Sequence, residues 1–393
     1  MPLLTEIPQK RRPDFVDAAH PTIHLTAGQA SHFACFYRPP LALSRKAAAT
    51  LNDQGRFGYK QDTPAAHRHT SASLASNLAL DPDMTDTTAP APAVSRLEAA
   101  LRARRFVITT EITPPVSFDP ADLIRKAEPL RSLADAVNVT DGASARAHMG
   151  APIAAALLVQ AGIEPILQLT CRDRNRIALQ GDLMGAAAAG VINLLALTGD
   201  DPKAGDQPDT KPVFDIDTTT LSAMARRMAE QNELPTGRKI GGHARFFIGA
   251  ADAPIDPPAD WQPVKLAAKV AAGAQFAQTQ FCMDAGIVRR YAAHLAGHEG
   301  TRGLALIVGI APLRSAKSAR WMKEHLWGTI IPDDFVARLE AAADPVAEGQ
   351  RICLDVIAEF AAIPGVAGVH IMAPANEAAV PAVIAEARKR LPA

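Results

Sequence analysis

The sequence predicts an eight-stranded (β/α)8 barrel, the TIM barrel, over residues 93–393 of the 393-residue chain. Apolar strand-like runs alternate with Ala-rich helical stretches from about residue 95 onward. The runs number eight in roughly 300 residues, and a strand, a helix and another strand in succession require parallel pairing. A doubly wound sheet is the alternative. The predicted strands are 106–111, 135–140, 165–170, 192–198, 244–249, 275–281, 303–309 and 366–372.

The first elements of this barrel are read directly from the residues. An amphipathic helix is expected in SRLEAALRAR, starting at Ser95. The first strand lies in FVITTEITPP, which carries one carboxylate, Glu111, and is stopped by two prolines. The stretch 166–201 then places two strands around a helix and ends each strand in polar residues. This βα arrangement puts chemistry at the carboxyl ends of the strands, where barrel active sites lie.

The N-terminal segment differs from the rest of the chain. Residues 1–92 show no sustained helical or strand period and end in the low-complexity stretch TDTTAPAPA. We expect a disordered or dispensable extension without a role in catalysis. Met84 lies just before this stretch, so the natural protein starting there is an alternative.

Composition excludes several classes of function. A formal net charge of zero and a pI near 7.2 provide no basic field for nucleic acid or an anionic membrane, so neither partner is expected. The cysteines form no CxxC pair and no HExxH motif is present, so neither a disulfide framework nor a metal site is predicted. No apolar run reaches the roughly 20 residues of a membrane helix, and the N-terminus lacks the apolar centre of a signal peptide. A reducing cytoplasm is the expected location.

Polar residues follow the predicted strands, as the barrel fold requires of an active site. In a closed barrel they would surround one pocket that contains carboxylates, amides, hydroxyls and some positive charge. These residues are Glu111, Thr140, Asp141, Gln168, Thr170, Thr198, Gly199, Asp200, Thr279, Gln280, Arg314, Ser315 and Lys317.

Six motifs of this region together resemble the methylenetetrahydrofolate reductase family of flavoproteins. They are, in order, TEITPP, NVTDGA, LQLTCRD, LALTGD, KVAAGAQFAQTQF and GIAPLRS. The resemblance spans about residues 95–390. It implies a barrel that holds a flavin at the strand carboxyl ends and reduces 5,10-methylenetetrahydrofolate to 5-methyltetrahydrofolate, in one-carbon metabolism and methionine supply. NADH or NADPH would donate the electrons after binding in the folate's position.

The resemblance implies roles for three polar residues. Glu111 matches the family's catalytic glutamate, which assists proton delivery to N10 of the folate. Asp200 matches an aspartate near the pyrimidine end of the flavin ring, with Asp201 as the register alternative. Gln280 matches a glutamine that contacts the pterin and then the nicotinamide. The structural alternatives are a strand-edge salt bridge for Glu111, a turn aspartate for Asp200 and a satisfied barrel-interior amide for Gln280.

A further set of positions matches the family's flavin contacts: Thr140, Gln168, Thr170, Gly199 and Lys269. Gln168 and Thr198 stand where the better-known bacterial pattern has a histidine and an arginine. Arg172, Arg174 and Arg176 could restore positive charge near the flavin phosphates, although a solvated helix start is an equal alternative. FAD is the expected flavin, and FMN is possible because the chemistry tolerates loss of contacts to the adenosine half.

Other functions stay open at this stage. The chain has no Rossmann fingerprint, so a nicotinamide would bind only through the folate pocket, and a partner protein is an alternative electron donor. A folate-binding methyl-transfer component without flavin is a second hypothesis. A flavin-free lyase or aldolase is disfavoured because no inward-facing strand lysine stands out. We also expect a homo-oligomer.

Overall fold

The computed structural model describes residues 95–391 and shows a closed barrel of eight parallel strands in the order β1 to β8. This confirms the (β/α)8 prediction and excludes the doubly wound sheet. The predicted extension 1–92, with the alternative start at Met84, lies outside the described residues. The strands are Val107–Ile112 (β1), Ala136–Val139 (β2), Pro165–Thr170 (β3), Asn193–Leu197 (β4), Phe247–Asp252 (β5), Phe276–Phe281 (β6), Ala305–Ile310 (β7) and Val366–Ile371 (β8).

Helices follow the strands around the outside of the barrel. Most of them begin at a side chain that accepts a hydrogen bond from a backbone N–H in the first turn, at Ser95, Asp119, Asn175, Asp217, Asp284, Ser315 or Asp344. The helices are Arg96–Arg102 (α1), Pro120–Ala127 (α2), Ala151–Gln160 (α3), Arg176–Ala188 (α4), Thr218–Gln231 (α5), Val264–Ala271 (α6), Ala285–Gly297 (α7), Ala316–His325 (α8), Asp333–Ala341 (α9), Pro345–Ala361 (α10) and Val380–Arg390 (α11). Within residues 95–391, none of these helices combines the length and apolar character required of a membrane-spanning segment.

Strand β5 is the one strand whose predicted position, 244–249, is wrong by three residues. The other seven predicted strands agree with the structure to within two residues at each end. The prediction stopped at Gly249 because Gly, Ala and Asp are rare in strands. Pairing on both sides overrides this preference, since Gly249 lies beside Phe276 and Asp252 beside Thr279 of β6. The correction brings Asp252 to the carboxyl edge of the barrel.

Helix α1 closes the amino-terminal end of the barrel. Leu97 is fully buried and Ala100 nearly so, in one apolar cluster with the first residues of the strands, including Phe247 and Phe276. The carboxylate of Glu164 accepts hydrogen bonds from the backbone N–H groups of Arg96 and Leu97 at 2.9 and 2.8 Å. A carboxylate at a helix N-terminus is stabilising. The cavity described below therefore opens only at the opposite, carboxyl-terminal end.

The contacts of α1 predict how truncation of the chain affects stability. A chain that lacks residues 1–83 is expected to keep the free energy of unfolding of the full-length protein, because α1 and its contacts remain. A chain that lacks residues 1–104 loses α1 and should be less stable by at least about 3 kcal/mol, the usual cost of removing one buried leucine. Urea unfolding of the three proteins measures both effects. Aggregation of the first truncation would contradict the expectation that residues 1–83 are dispensable.

Candidate active site

A cavity of about 910 Å³ lies at the carboxyl ends of the strands. It collects nine of the ten site residues predicted from the sequence, which come from six of the eight βα units. They are Glu111, Thr140, Gln168, Thr170, Thr198, Gly199, Asp200, Lys269 and Gln280. The tenth, Arg172, is not among the lining residues. The lining also contains residues that the sequence interpretation did not assign, among them Asp252, Trp261, Gln278, Tyr291, Trp327 and His370.

Glu111 lies near the end of β1 with its side chain 27% exposed to the cavity. Its carboxylate accepts no hydrogen bond within the described part of the chain. The nearest partner is Nε2 of His370 in β8, 3.7 Å from Oε2. This separation is longer than a hydrogen bond but short enough for direct electrostatic interaction. The predicted salt-bridge alternative therefore does not apply to an arginine or lysine here, and the carboxyl group is left available to a ligand.

His370 belongs to a buried hydrogen-bond network under Glu111. Nε2 of Gln278 donates to Oγ1 of Thr109 at 3.0 Å and to Oδ1 of Asn138 at 3.1 Å, and Oε1 of Gln278 accepts from Asn138 at 2.6 Å. Oγ1 of Thr109 lies 2.9 Å from Nδ1 of His370 and 3.4 Å from the alternative acceptor, the Val369 carbonyl. The Thr109 hydroxyl has one proton to donate, and Nε2 of Gln278, a second donor, lies 3.4 Å from Nδ1 of His370, so this ring nitrogen is best placed as an acceptor.

This network favours one tautomer of His370. Because Nδ1 accepts a hydrogen bond, the neutral ring carries its proton on Nε2, the atom that faces Glu111. The imidazole is thus held as a donor toward the carboxylate. His370 is therefore the side chain that faces Glu111, and the sequence interpretation missed it because the histidine lies inside an apolar strand run.

Asp141, at the end of β2, organises the neighbouring strand ends. Its Oδ2 accepts hydrogen bonds from the backbone N–H and the hydroxyl of Thr170 at 2.7 and 2.8 Å. It also pairs with the guanidinium of Arg174, which contacts Asp182 as well. Arg176 pairs with Asp215. All three arginines predicted as phosphate ligands are therefore engaged with carboxylates, since Arg172 pairs with Asp173.

Arg172 joins the loops after β2 and β4 from behind the cavity. Its guanidinium is 3% exposed, pairs with Asp173 at 2.7 Å, and donates to the carbonyls of Gly142 and Asp200 at 3.2 and 3.1 Å. The hydrogen bond to Asp173 raises the pKa of Arg172 further. The loops approach so closely that a Cβ on Gly142, at φ +62°, would lie 2.1 Å from this guanidinium. Arg172 therefore shapes the cavity wall instead of facing a ligand.

The loop after β4 distinguishes the two candidate aspartates. Asp200 lines the cavity, and its Oδ2 accepts a hydrogen bond from the backbone N–H of Ser144 at 2.8 Å. Ser144 has a φ of +53°, a conformation that costs energy for a non-glycine residue. Asp201 instead caps the following turn by accepting from Lys203 at 3.0 Å. The register alternative is thus a turn residue, and Asp200 is the carboxylate that a ligand would meet.

A second titratable cluster lies at the end of β5. Asp252 accepts a hydrogen bond from the hydroxyl of Tyr291, and Nζ of Lys269 donates to the carbonyl of Ala251 at 2.6 Å. Burial raises the pKa of Asp252 and lowers that of Lys269, although the opposite charge of each acts against the shift. Burial also raises the pKa of Tyr291. Trp261 covers this cluster, with its ring 5.5 Å from that of Tyr291.

The raised pKa of Asp252 predicts a pH dependence of stability. The folded protein holds this proton more tightly than the unfolded chain, so the free energy of unfolding falls as pH rises from the unfolded to the folded pKa. Between about pH 4 and pH 7, the free energy of unfolding should fall less for Asp252→Asn than for the wild type. Urea unfolding at both pH values tests this. Asp260→Asn, at an exposed position, is the matched control, and equal behaviour of the two variants would refute the assignment.

Gln280, the penultimate residue of β6, presents an amide to the cavity. Its Oε1 accepts the backbone N–H of Phe281 at 3.0 Å, which fixes the orientation of the side chain. Nε2 has no acceptor among residues 95–391. The amide therefore has donor capacity left for a ligand, in contrast to the fully paired amide of Gln278.

The buried thiols of the barrel are not activated. Burial raises the pKa of the Cys171 thiol to about 11 and that of Cys282 to about 12, so both stay protonated at neutral pH. The part of the chain from 95 to 391 brings together no group of three His, Cys, Asp or Glu side chains suited to a metal ion.

Comparison with known proteins agrees with the fold and the motifs. The family profile described as methylenetetrahydrofolate reductase matches residues 96–388. An uncharacterized protein from Clostridium thermocellum that binds two copies of 5-methyl-5,6,7,8-tetrahydrofolic acid aligns with 75% of this chain and 98% of its own, at 13% identity and a TM-score of 0.51. EDTA monooxygenase from Chelativorans sp. BNC1 aligns with 73% of this chain and 94% of its own, at 11% identity and a TM-score of 0.47. No curated protein matches the chain. Structural similarity at such low identity shows the fold alone.

Proposed function

Because the chain belongs to the methylenetetrahydrofolate reductase family, we propose that it reduces 5,10-methylenetetrahydrofolate to 5-methyltetrahydrofolate with a bound flavin. The observation that carries this proposal is the position of Glu111. The family's motif glutamate lines the cavity at the carboxyl end of the barrel, and within residues 95–391 no arginine or lysine pairs with it.

The polar side chains of the cavity fit a flavin. Gln168 is 8% exposed, and no partner for its amide exists within residues 95–391. The buried hydroxyl oxygen of Thr140 also lacks a partner there. Buried polar groups without partners are costly, so both positions suit a ligand that supplies hydrogen bonds. Lys265, in the first turn of α6, and Lys269, in its last turn, both line the cavity, and the N-terminus of α6 with Lys265 suits a phosphate. FAD is the proposed flavin, with FMN as the alternative.

The protein's own groups would act on the folate at two places. When bound, the flavin supplies the hydride. Glu111 would deliver a proton to N10 of the folate, so that the five-membered ring opens to a cation at N5. His370 holds the carboxyl group in place and stabilises it as an anion after the proton has left. The carboxylate of Asp200 would stabilise the cation that accepts the hydride, while its bond to Ser144 keeps it in position.

NADH or NADPH is the proposed electron donor, binding in turn with the folate in one cavity. A partner protein that feeds electrons to the flavin is the alternative. A folate-binding methyl-transfer component is the second candidate function, favoured by the 5-methyltetrahydrofolate ligand of the Clostridium thermocellum protein. We also propose that the protein is cytoplasmic and forms a homo-oligomer. Size-exclusion chromatography of the full chain would test the oligomeric state.

The function is tested by the absorbance of the purified protein and two anaerobic additions. NADH or NADPH should bleach a flavin band, and 5,10-methylenetetrahydrofolate should restore it. Flavin that neither nicotinamide bleaches, but that dithionite does and folate re-oxidises, would indicate a partner-fed reductase. Protein that binds folate without flavin would replace the proposal with the methyl-transfer candidate. Chromatography of the released flavin separates FAD from FMN.

His370 gives a prediction of its own. His370→Ala should slow flavin oxidation by the folate about tenfold, because Glu111 loses the group that orients it, and should leave flavin reduction by the nicotinamide unchanged. His370→Gln keeps a donor near the position of Nε2 and should recover part of the rate. Stopped-flow measurement of the two half-reactions in both variants tests this prediction. Equal loss in both half-reactions, or no recovery with Gln, would indicate a merely structural histidine.

A further inference from the structure

The outer surfaces of helices α3 and α4 carry almost no charge. Helix α3, APIAAALLVQ, contains no charged residue, and Ile153 in its first turn is 64% exposed. Every other helix between residues 95 and 391 exposes charged side chains, but on α4 the only one is Arg176, its first residue. The remaining exposed residues of α4 are Ile177, Ala178, Gly181, Gly185 and Ala188. The two helices pack side by side, and we call their joint outer surface the α3–α4 face.

Large apolar side chains protrude from this face at the carboxyl-terminal end of the barrel. Ile177, in the first turn of α4, is 77% exposed, and Phe118, in the loop after β1, is fully exposed. The loop is held against the start of α3, because the carbonyl of Pro115 accepts the N–H of Met149 at 3.0 Å. Phe118 also directly precedes Asp119, the residue that caps α2. Apolar side chains fixed in water beside an uncharged surface mark an interaction site.

A recess lies one turn further along α4. Gly181 is exposed, and a Cβ placed on it would meet no atom within 4 Å. Ala178 adds little side-chain volume, so another molecule can approach the helix backbone closely at this point. The βα units follow one another around the barrel, so Phe118, Ile153 and Gly181 lie in this order across the face. The face therefore has a protruding ring on one side of Ile153 and a recess on the other.

We propose that the α3–α4 face binds a second copy of this chain about a twofold axis. In such a pair, a surface must fit the same surface of the other subunit. An axis near Ile153 would bring Phe118 of each subunit onto the recess at Gly181 of the other. The uncharged helices bring no like charges together, and the zero net charge of the chain adds no long-range repulsion. This inference gives a location to the proposed homo-oligomer and is independent of the proposed reaction.

Sedimentation velocity of the full chain and its variants tests the α3–α4 face. The wild type should sediment as a dimer or a higher even-numbered oligomer. Ile177→Asp and Phe118→Asp should each raise the dissociation constant of the contact at least about thirtyfold, because a twofold pair would bury two unpaired carboxylates. Val346→Asp is the matched control with wild-type association, since Val346 is the exposed second residue of α10, as Ile177 is of α4.

Gly181→Leu separates association from folding. The leucine would fill the recess, whereas its Cβ meets no atom of its own subunit, and leucine has a higher helix propensity than glycine. Association should therefore weaken at least about tenfold, while the urea midpoint of the dilute, monomeric protein does not fall.

The outcomes distinguish this inference from the proposed reaction. A monomeric wild type would overturn the twofold pair and the proposed homo-oligomer, would leave the face to a different protein, and would not affect the proposed reductase activity. Wild-type association in both Ile177→Asp and Phe118→Asp would place the contact elsewhere and refute the α3–α4 face alone. Equal dissociation of Val346→Asp would show that a new carboxylate at any helix start disrupts the oligomer, which also refutes this face.

Discussion

Glu111→Gln is expected to abolish folate reduction almost completely while leaving the flavin in place. The amide has nearly the shape of the carboxyl group but cannot give up a proton to N10, and positioned acids usually contribute about 10²–10⁴-fold to such steps. The half-reaction in which the folate re-oxidises reduced flavin should slow by this factor. The half-reaction with the nicotinamide should be unchanged, because it needs no proton from residue 111. Stopped-flow absorbance at the flavin band measures both.

A matched control comes from a second glutamate at the same end of the barrel. Glu377 lies after β8 and borders a smaller neighbouring cavity, outside the lining of the main one. Glu377→Gln should leave both half-reactions as in the wild type. Comparable folate turnover by Glu111→Gln and the wild type would remove Glu111 from the mechanism. Loss of flavin from Glu111→Gln would show that its role lies in cofactor binding.

Gly349→Ala is expected to be the most destabilising small substitution in the described part of the barrel. Gly349 lies in α10 where the helix presses against the loop after β7, and a Cβ there would lie 1.6 Å from the carbonyl oxygen of Leu313. Since that neighbour is backbone, the helix or the loop must move. We expect a loss of about 3 kcal/mol in the free energy of unfolding, the upper range for overpacking, and a fall in Tm of roughly 6–10 °C.

Gly185→Ala provides the control for this substitution. Gly185 lies in α4, and a Cβ placed on it would meet no atom within 4 Å. The same change should therefore stabilise the protein by about 0.5–1 kcal/mol through helix propensity. Differential scanning calorimetry of the two variants should show shifts in Tm of opposite sign. Shifts of the same sign would mean that propensity, and not the contact with Leu313, controls Gly349→Ala.

The sequence contained enough information for the barrel and for the residues at the strand ends. Period, strand count and polar residues after each run are local signals, and they correctly placed Glu111, Asp200 and Gln280 around one cavity. Asp252 was not found because the pairing of β5, which sets its end, depends on strands distant in the chain. His370 was missed for a related reason. A histidine within an apolar strand acquires its role only from Thr109 and Glu111, more than 250 residues earlier.

Arg172 shows a different limit of sequence interpretation. Its residue type and its place in CRDRNR suggested contact with a phosphate, but charge pairing is decided by three-dimensional neighbours. The structure surrounds it with Asp173 and two loop carbonyls and leaves it nearly inaccessible. The sequence thus showed which residue type stands next to the strand end, but not which neighbours its side chain contacts.

The paired amides of Asn138 and Gln278 have a consequence for how the barrel comes apart. Strands β2 and β6 are four positions from each other in either direction around the closed sheet, so these side chains bridge opposite walls. Opening one half of the barrel would separate the two buried amides. Each would then lack its hydrogen-bond partner, which costs free energy. Local opening of either half is thereby disfavoured. The backbone amides of β2 and β6 should exchange their hydrogens with solvent only when the whole barrel unfolds, at one common free energy.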